Sequence, residues 1–194
     1  MPNWCHNSLR VTGPESSIKK FLDNAKKADA YKVTYDDTDW SAFEHIKLEI
    51  LMSEAKEHSN TSDNHFCFNG LFPIPLAIQV LPYDQYCLKE LRMSNPSVEE
   101  FCKKHNVSVS QYEWELENWG VKWGATSSYI GELEESYDGN HTVLIQFDTP
   151  WNAPVEFFNK VSKDYPDLLM ELDVTYEFED EDDADSFTFN EHLI

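Results

Sequence analysis

Residues 113–125 read EWELENWGVKWGA. The stretch holds three of the chain's six tryptophans and two of its glycines, and it carries no evident catalytic group. Large side chains recur at Tyr112, Trp114, Leu116 and Trp119, with acids at Glu113, Glu115 and Glu117 between them. The alternation from Tyr112 to Glu117 suits a strand, and a short helix closed by Gly120 suits the same letters. Asn118-Trp119-Gly120 is a helix stop and Val121 opens a new apolar run, so the spacing predicts a helix that ends at Gly120. Glycine there tolerates a positive φ without steric penalty. The segment Val121–Glu132 that follows is a strand candidate, and the corner is expected to lead into the central strand of a sheet. Trp119 and Trp123 fall on either side of the turn, and each can bury roughly 150–250 Å². A core corner is the expectation, and a tryptophan-lined binding surface is the functional alternative.

At 194 residues, with 41% hydrophobic and 14% aromatic side chains, the chain can bury a sizeable core as one folded domain. No apolar run approaches the roughly 20 residues that span a bilayer. The opening Met-Pro-Asn-Trp-Cys lacks the basic and apolar regions of a signal peptide, which predicts a cytoplasmic protein. Cysteines stand at 5, 67, 87 and 102, none in a CxxC pair, so no zinc ribbon is expected. His65 and Cys67 would share a face if they lay on a strand. Cys5 and His6 are adjacent and would point to opposite faces. Buried free thiols are the default in a reducing compartment, and neither a metal nor a cofactor is expected.

Charge is the loudest signal: 36 acids against 15 Lys and Arg give −21. Phosphate contacts need Lys and Arg, so direct nucleic-acid binding and binding to an anionic membrane are not expected. A basic partner is favoured. The bland alternative is a solvated acidic surface.

Along the chain, Asn3–Gly13 reads as a first strand with Asn7, Leu9 and Val11 on one face. Pro14 starts a helix, and Ile18, Phe21, Leu22 and Ala25 make Glu15–Lys27 amphipathic. Residues 28–110 read as a helical and loop insertion. Within it, Asp36, Asp37 and Asp39 precede Trp40, and Phe43, Ile46, Ile50 and Leu51 suggest a helix. The aspartates lack the ligand spacing, glycine and closing glutamate of a calcium loop. FCFNGLFPIP at 66–75 reads as a strand or short extended element, and Pro73 and Pro75 forbid a central strand there. A helix is expected from Asp84 to Met93 and another from Pro96, with Val98, Phe101 and Cys102 inward. YDGN at 137–140 is a turn signal before a strand with Val143, Ile145 and Phe147 inward. A helix with Val155, Phe158 and Val161 follows. Leu168–Glu179 then alternates as a half-buried strand, and Ser186–Phe189 would be a short edge strand.

From Asp164 to Ile194 there are 12 acids and no Lys or Arg. Glu177, Glu179, Asp180, Glu181, Asp182, Asp183 and Asp185 form the candidate acidic partner face. Like charges on an exposed edge also oppose strand addition, which is the structural explanation.

A strand, a helix, two strands, a helix and a strand give the β-α-β-β-α-β order of ferredoxin-like α+β folds with an antiparallel sheet. The blocks MPNWCHNSLRVTGP, FCFNGLFPIP, ENWGVKWGA and FDTPWNAP, in that order, also resemble the YubB-like proteins of phages and plasmids. The resemblance covers most of the chain. It implies a single ferredoxin-like domain with a mobile-element origin, and it carries no assigned activity or catalytic residue. The family pattern ends in a glycine-bearing aromatic tail, whereas this chain ends in DDADSFTFNEHLI.

No P-loop, GxSxG, HExxH or GxGxxG occurs. Asn3, Trp4, Asn69, Asn118, Trp119, Lys122, Trp123 and Trp151 lie in the four blocks and form a candidate ligand or partner cluster, since Trp and Asn together can make a stacking platform. The bland counterpart is buried Asn side chains satisfying loop backbones near a tryptophan core. The expected function is a non-enzymatic, acidic phage or plasmid protein that binds a basic host protein, such as a nucleic-acid-binding or defence factor. A small-ligand or hydrolytic site at the Trp/Asn cluster is the alternative.

Overall fold

Period-two burial makes Trp4–Gly13 a strand, β1: Cys5, Asn7, Leu9 and Val11 point inward while His6 and Arg10 face solvent. The structure, a computed structural model, describes residues 3–26, 48–50, 52, 65–137, 139–177 and 184–193. A Cβ on Gly13 would lie 2.7 Å from the Asp167 carbonyl oxygen and from Leu168 Cδ2, so only glycine lets β1 leave the sheet at this point. Helix α1 (Glu15–Ala25) begins at Pro14, whose carbonyl accepts the amides of Ser17 and Ile18.

Among the described residues from 65 on, five short helices precede the rest of the sheet. They are α2 (Phe68–Leu71), α3 (Leu76–Gln79), α4 (Gln85–Ser94), α5 (Pro96–Lys104) and α6 (Gln111–Trp119). Local chemistry sets their starts. Asp84 and Asn95 accept amides in the first turns of α4 and α5, and Ser110 with Glu113 forms a capping box on α6. Gly120 ends α6 at φ +75, the left-handed stop expected from the sequence.

The remaining elements are β2 (Thr126–Ile130), β3 (Glu134–Glu135), β4 (His141–Pro150), α7 (Val155–Asp164), β5 (Leu169–Tyr176) and β6 (Asp185–Phe189). They complete a mixed α+β molecule with a six-stranded antiparallel sheet in the order β2-β4-β1-β5-β6, with β3 also paired to β4. The inward face of the sheet carries Leu9, Val11, Val143, Ile145, Phe147, Met170, Leu172 and Val174. Phe21 of α1 and Phe157 and Phe158 of α7 join the same core, and Phe68 stacks on Phe157 at 3.8 Å. The opposite face, with His6, Arg10, Leu144, Gln146 and Asp173, is open.

Three expectations need correction. The tryptophan corner does not lead into a central strand: Val121–Ala125 is loop, and the strand after it, β2, lies at the sheet edge. The centre belongs to β1, whose apolar face is covered while both of its edges are paired. Residues 65–67 are not a strand either. Cys67 is held by its amide on the Ala25 carbonyl at 2.7 Å, and the chain then turns into α2. Asn69 fixes this turn by accepting the Ile74 amide on Oδ1 at 2.8 Å. The face shared by His65 and Cys67 therefore does not form, and no metal-ligating group of three occurs among the described residues.

Within the expected insertion at 28–110, residues 66–107 supply Phe66, Phe68, Ile74, Leu88 and Phe101 to the common core. Leu48–Ile50 and Met52 are helical there. Asp36–Asp39, Trp40, Phe43, Ile46 and Leu51 lie outside the described residues. Among the described residues no helix is long and apolar enough to cross a membrane.

Candidate binding surface

The end of the sheet where β1 begins and β4 finishes is tied by backbone bonds. Trp4 pairs with Pro150, and the Trp151 amide donates to the Asn3 carbonyl at 2.8 Å. Deeper in, Asn7 Nδ2 donates to Thr149 Oγ1 at 2.9 Å, and that hydroxyl donates to the Asn152 carbonyl at 2.8 Å. The loop Trp151–Pro154 is thus pinned from beneath, and Trp151 sits on it at φ +73, 50% exposed.

Trp123 is presented in a similar way from the other side. Its φ is +66, and 45% of it is exposed. Its amide donates at 2.8 Å to Glu115 Oε2. Glu115 is only 2% exposed, and it also accepts Gln111 Nε2 at 2.8 Å and the Tyr83 hydroxyl at 2.7 Å. Burial, with the Glu115 charge beside it, pushes the Tyr83 phenol far above its ordinary pKa, so it remains a donor to that carboxylate. A buried carboxylate with three donors is a rigid post, and Trp123 is fastened to it.

Lys122 closes the space between the two indoles. Its Nζ lies 4.0 Å from the Trp123 ring centroid and 5.7 Å from that of Trp151. Both distances suit cation–π attraction. Among the described residues no carboxylate pairs with Lys122, although the chain carries 36 acids.

The eight residues of the expected cluster therefore separate. Lys122, Trp123 and Trp151 form an exposed cage, with Asn3 and Trp4 supporting it through backbone. Trp119 is 3% exposed, packs edge-on against Phe68 and Trp114, and donates from Nε1 to the Phe72 carbonyl at 3.0 Å. Asn69 is a buried residue of α2 itself and accepts the Ile74 amide. Asn118 accepts Lys160 Nζ at 2.8 Å and donates to the Trp114 carbonyl at 2.9 Å, which completes the end of α6. The last three are structural. Glu115 and Tyr83 were not singled out from the sequence, because Glu115 reads as one more acid on an exposed helix.

Two members of the acidic face are described. Glu177 Oε2 accepts the Trp4 amide at 3.0 Å, and its own amide donates to the Trp4 carbonyl at 3.0 Å. Asp185 accepts the Tyr176 hydroxyl at 3.1 Å. Glu179, Asp180, Glu181, Asp182 and Asp183 lie outside the described residues. Glu177 follows the last residue of β5 and lies next to Trp4, at the end of the sheet that carries the cage. Cys5 is buried while His6, on the opposite face, pairs with Asp148 through Nδ1 at 2.7 Å, so the two make no nucleophile pair.

No protein-family model matches the sequence, and no curated protein matches it. Among solved structures, the crystal structure of the protein api92 from Yersinia pseudotuberculosis, with family model DUF1281, is similar at a TM-score of 0.51. The match covers 98% of this chain and 95% of that one at 10% sequence identity, and at that identity it is a likeness of fold alone.

Proposed function

We propose that this protein is a non-enzymatic, acidic binding protein of the YubB-like, mobile-element kind that engages a basic host protein, such as a nucleic-acid-binding or defence factor. The fold is read as ferredoxin-like. The strand order β2-β4-β1-β5, with α1 after β1 and α7 between β4 and β5, supports this reading, and β6 extends the sheet by one strand.

The observation that carries the function is the pair Trp123 and Trp151, both about half exposed and both at positive φ. A β-region backbone is easier for tryptophan, and each departure costs about 1–3 kcal/mol. Exposed tryptophans anchor protein interfaces more than almost any other side chain. The charge of −21 selects a basic partner and hastens its approach.

Affinity capture from a host lysate, washed at low and then high salt, tests the proposal when the wild type and the Trp123→Ala/Trp151→Ala double variant are run side by side. The expected result is a basic protein on the wild type that leaves at high salt and is absent from the variant. The same proteins held equally by both would overturn the role of the pair.

A further inference from the structure

We infer that the Trp123–Trp151 cage is a seat for an arginine side chain of the partner, and that Lys122 is a placeholder displaced when the partner docks. This rests on the reading of the protein as a binder of a basic partner and names what the partner inserts. Three observations carry it. The two indoles already hold a cation, with Lys122 Nζ at 4.0 and 5.7 Å from their centroids, so the geometry suits a positive group. Lys122 has no carboxylate partner among the described residues, so its head can leave without breaking an ion pair. Glu177 is hydrogen-bonded to Trp4, and the neighbouring Asn3 carbonyl accepts the Trp151 amide, so a basic segment drawn to that acid arrives beside Trp151.

Arginine is favoured over lysine as the incoming group. Its guanidinium is planar, stacks on aromatic faces and is more weakly hydrated than ammonium. An anionic ligand bridging Lys122 would instead have to approach against a charge of −21. The two occupants make opposite demands on Lys122. An arginine competes with it, whereas an anion needs it.

Fluorescence anisotropy with a labelled arginine-rich peptide, and a lysine counterpart of equal length and charge, tests this on the full chain. High salt screens the long-range attraction and leaves contact terms. There, Lys122→Ala is expected to tighten the arginine peptide by about threefold, the scale of one exposed cation–π contact. The double variant Trp123→Gly/Trp151→Gly is expected to weaken it by about tenfold and to abolish the preference for arginine over lysine. Glycine suits both positive-φ positions, so this variant keeps its backbone. Weaker or unchanged binding by Lys122→Ala overturns the placeholder role, and unchanged binding by the glycine double variant overturns the seat. If the wild type binds neither peptide even at low salt, the basic-partner reading itself fails.

Discussion

Trp119, Trp123 and Trp151 show how one residue type takes different roles in one fold. Trp119 is buried against Phe68, Trp114 and Phe157 with its indole N–H satisfied by the Phe72 carbonyl. Truncating it to alanine removes a large buried side chain and is expected to cost about 3–5 kcal/mol. Trp123 and Trp151 bury about half as much and sit in left-handed backbone. For Trp123→Gly, relief of the left-handed strain, about 1–2 kcal/mol, opposes the loss of half-buried contacts and glycine's extra chain entropy of about 0.5–1 kcal/mol. The net change is expected to stay below about 1.5 kcal/mol for either glycine variant. Urea unfolding of Trp119→Ala, Trp123→Gly and Trp151→Gly gives the comparison. A loss at Trp123 or Trp151 equal to that at Trp119 would make them core residues and remove the argument that their strain serves binding. The sequence alone pointed to these tryptophans without separating them. ENWGVKWGA announces the helix stop, but which indole turns inward depends on Phe68 and Phe157, which are remote in sequence, and on the burial of Glu115, which its place among the helix acids does not disclose.

At the scale of elements, legibility followed locality. Helices α4, α5 and α6 were readable because Asp84, Asn95, Pro96, Ser110 and Gly120 mark their ends with side chains that bond nearby backbone. β1, β4 and β5 were readable from period-two burial. The segment at 65–71 was misread because alternation across Phe66 and Phe68 is too short to fix a period, and the Asn69 bond to Ile74 then chose a helical turn. The edge position of β2 was invisible for another reason: strand order is a non-local fact. Glu49 adds a contact of the same kind, joining the helical residues 48–50 to the end of α5. Its Oε1 accepts His105 Nε2 at 2.9 Å and Lys104 Nζ at 2.7 Å. These bonds, His105 first and Lys104 second, hold the Glu49 carboxyl below its ordinary pKa. A carboxyl lowered in the folded state contributes stability above its unfolded pKa and loses it as pH falls through the folded value. The tie between residues 48–50 and α5 is therefore expected to weaken as pH falls through the lowered Glu49 pKa. Hydrogen exchange at the amides of residues 48–50, corrected for the pH dependence of the intrinsic rate, should show protection falling with acid in the wild type. In Glu49→Gln the protection should already be lower at neutral pH and change less with acid. Identical profiles for the two proteins would show that this pin does not hold the segment.

At the scale of the whole molecule, strand pairing gathers distant parts of the chain at one end of the sheet. β1, β4 and β5 bring Trp4, Trp151 and Glu177 side by side, and the chain enters its five-acid run two residues after Glu177. Two explanations of the run make different demands. If it only keeps a sheet edge from adding strands, neutral polar residues there should raise self-association and leave partner binding untouched. If it draws in a basic partner, neutralisation should slow association and flatten the salt dependence while dissociation, governed by the tryptophan contacts, changes little. Changing Glu179, Glu181 to Gln and Asp180, Asp182, Asp183 to Asn separates them. The expected outcome is an association rate lower by roughly tenfold at low salt and nearly equal to wild type at high salt. Surface plasmon resonance on the captured partner reads both rates, and sedimentation velocity reads the self-association. Unchanged association rates with new dimers would assign the run to edge protection and leave the two exposed tryptophans as the whole of the binding surface.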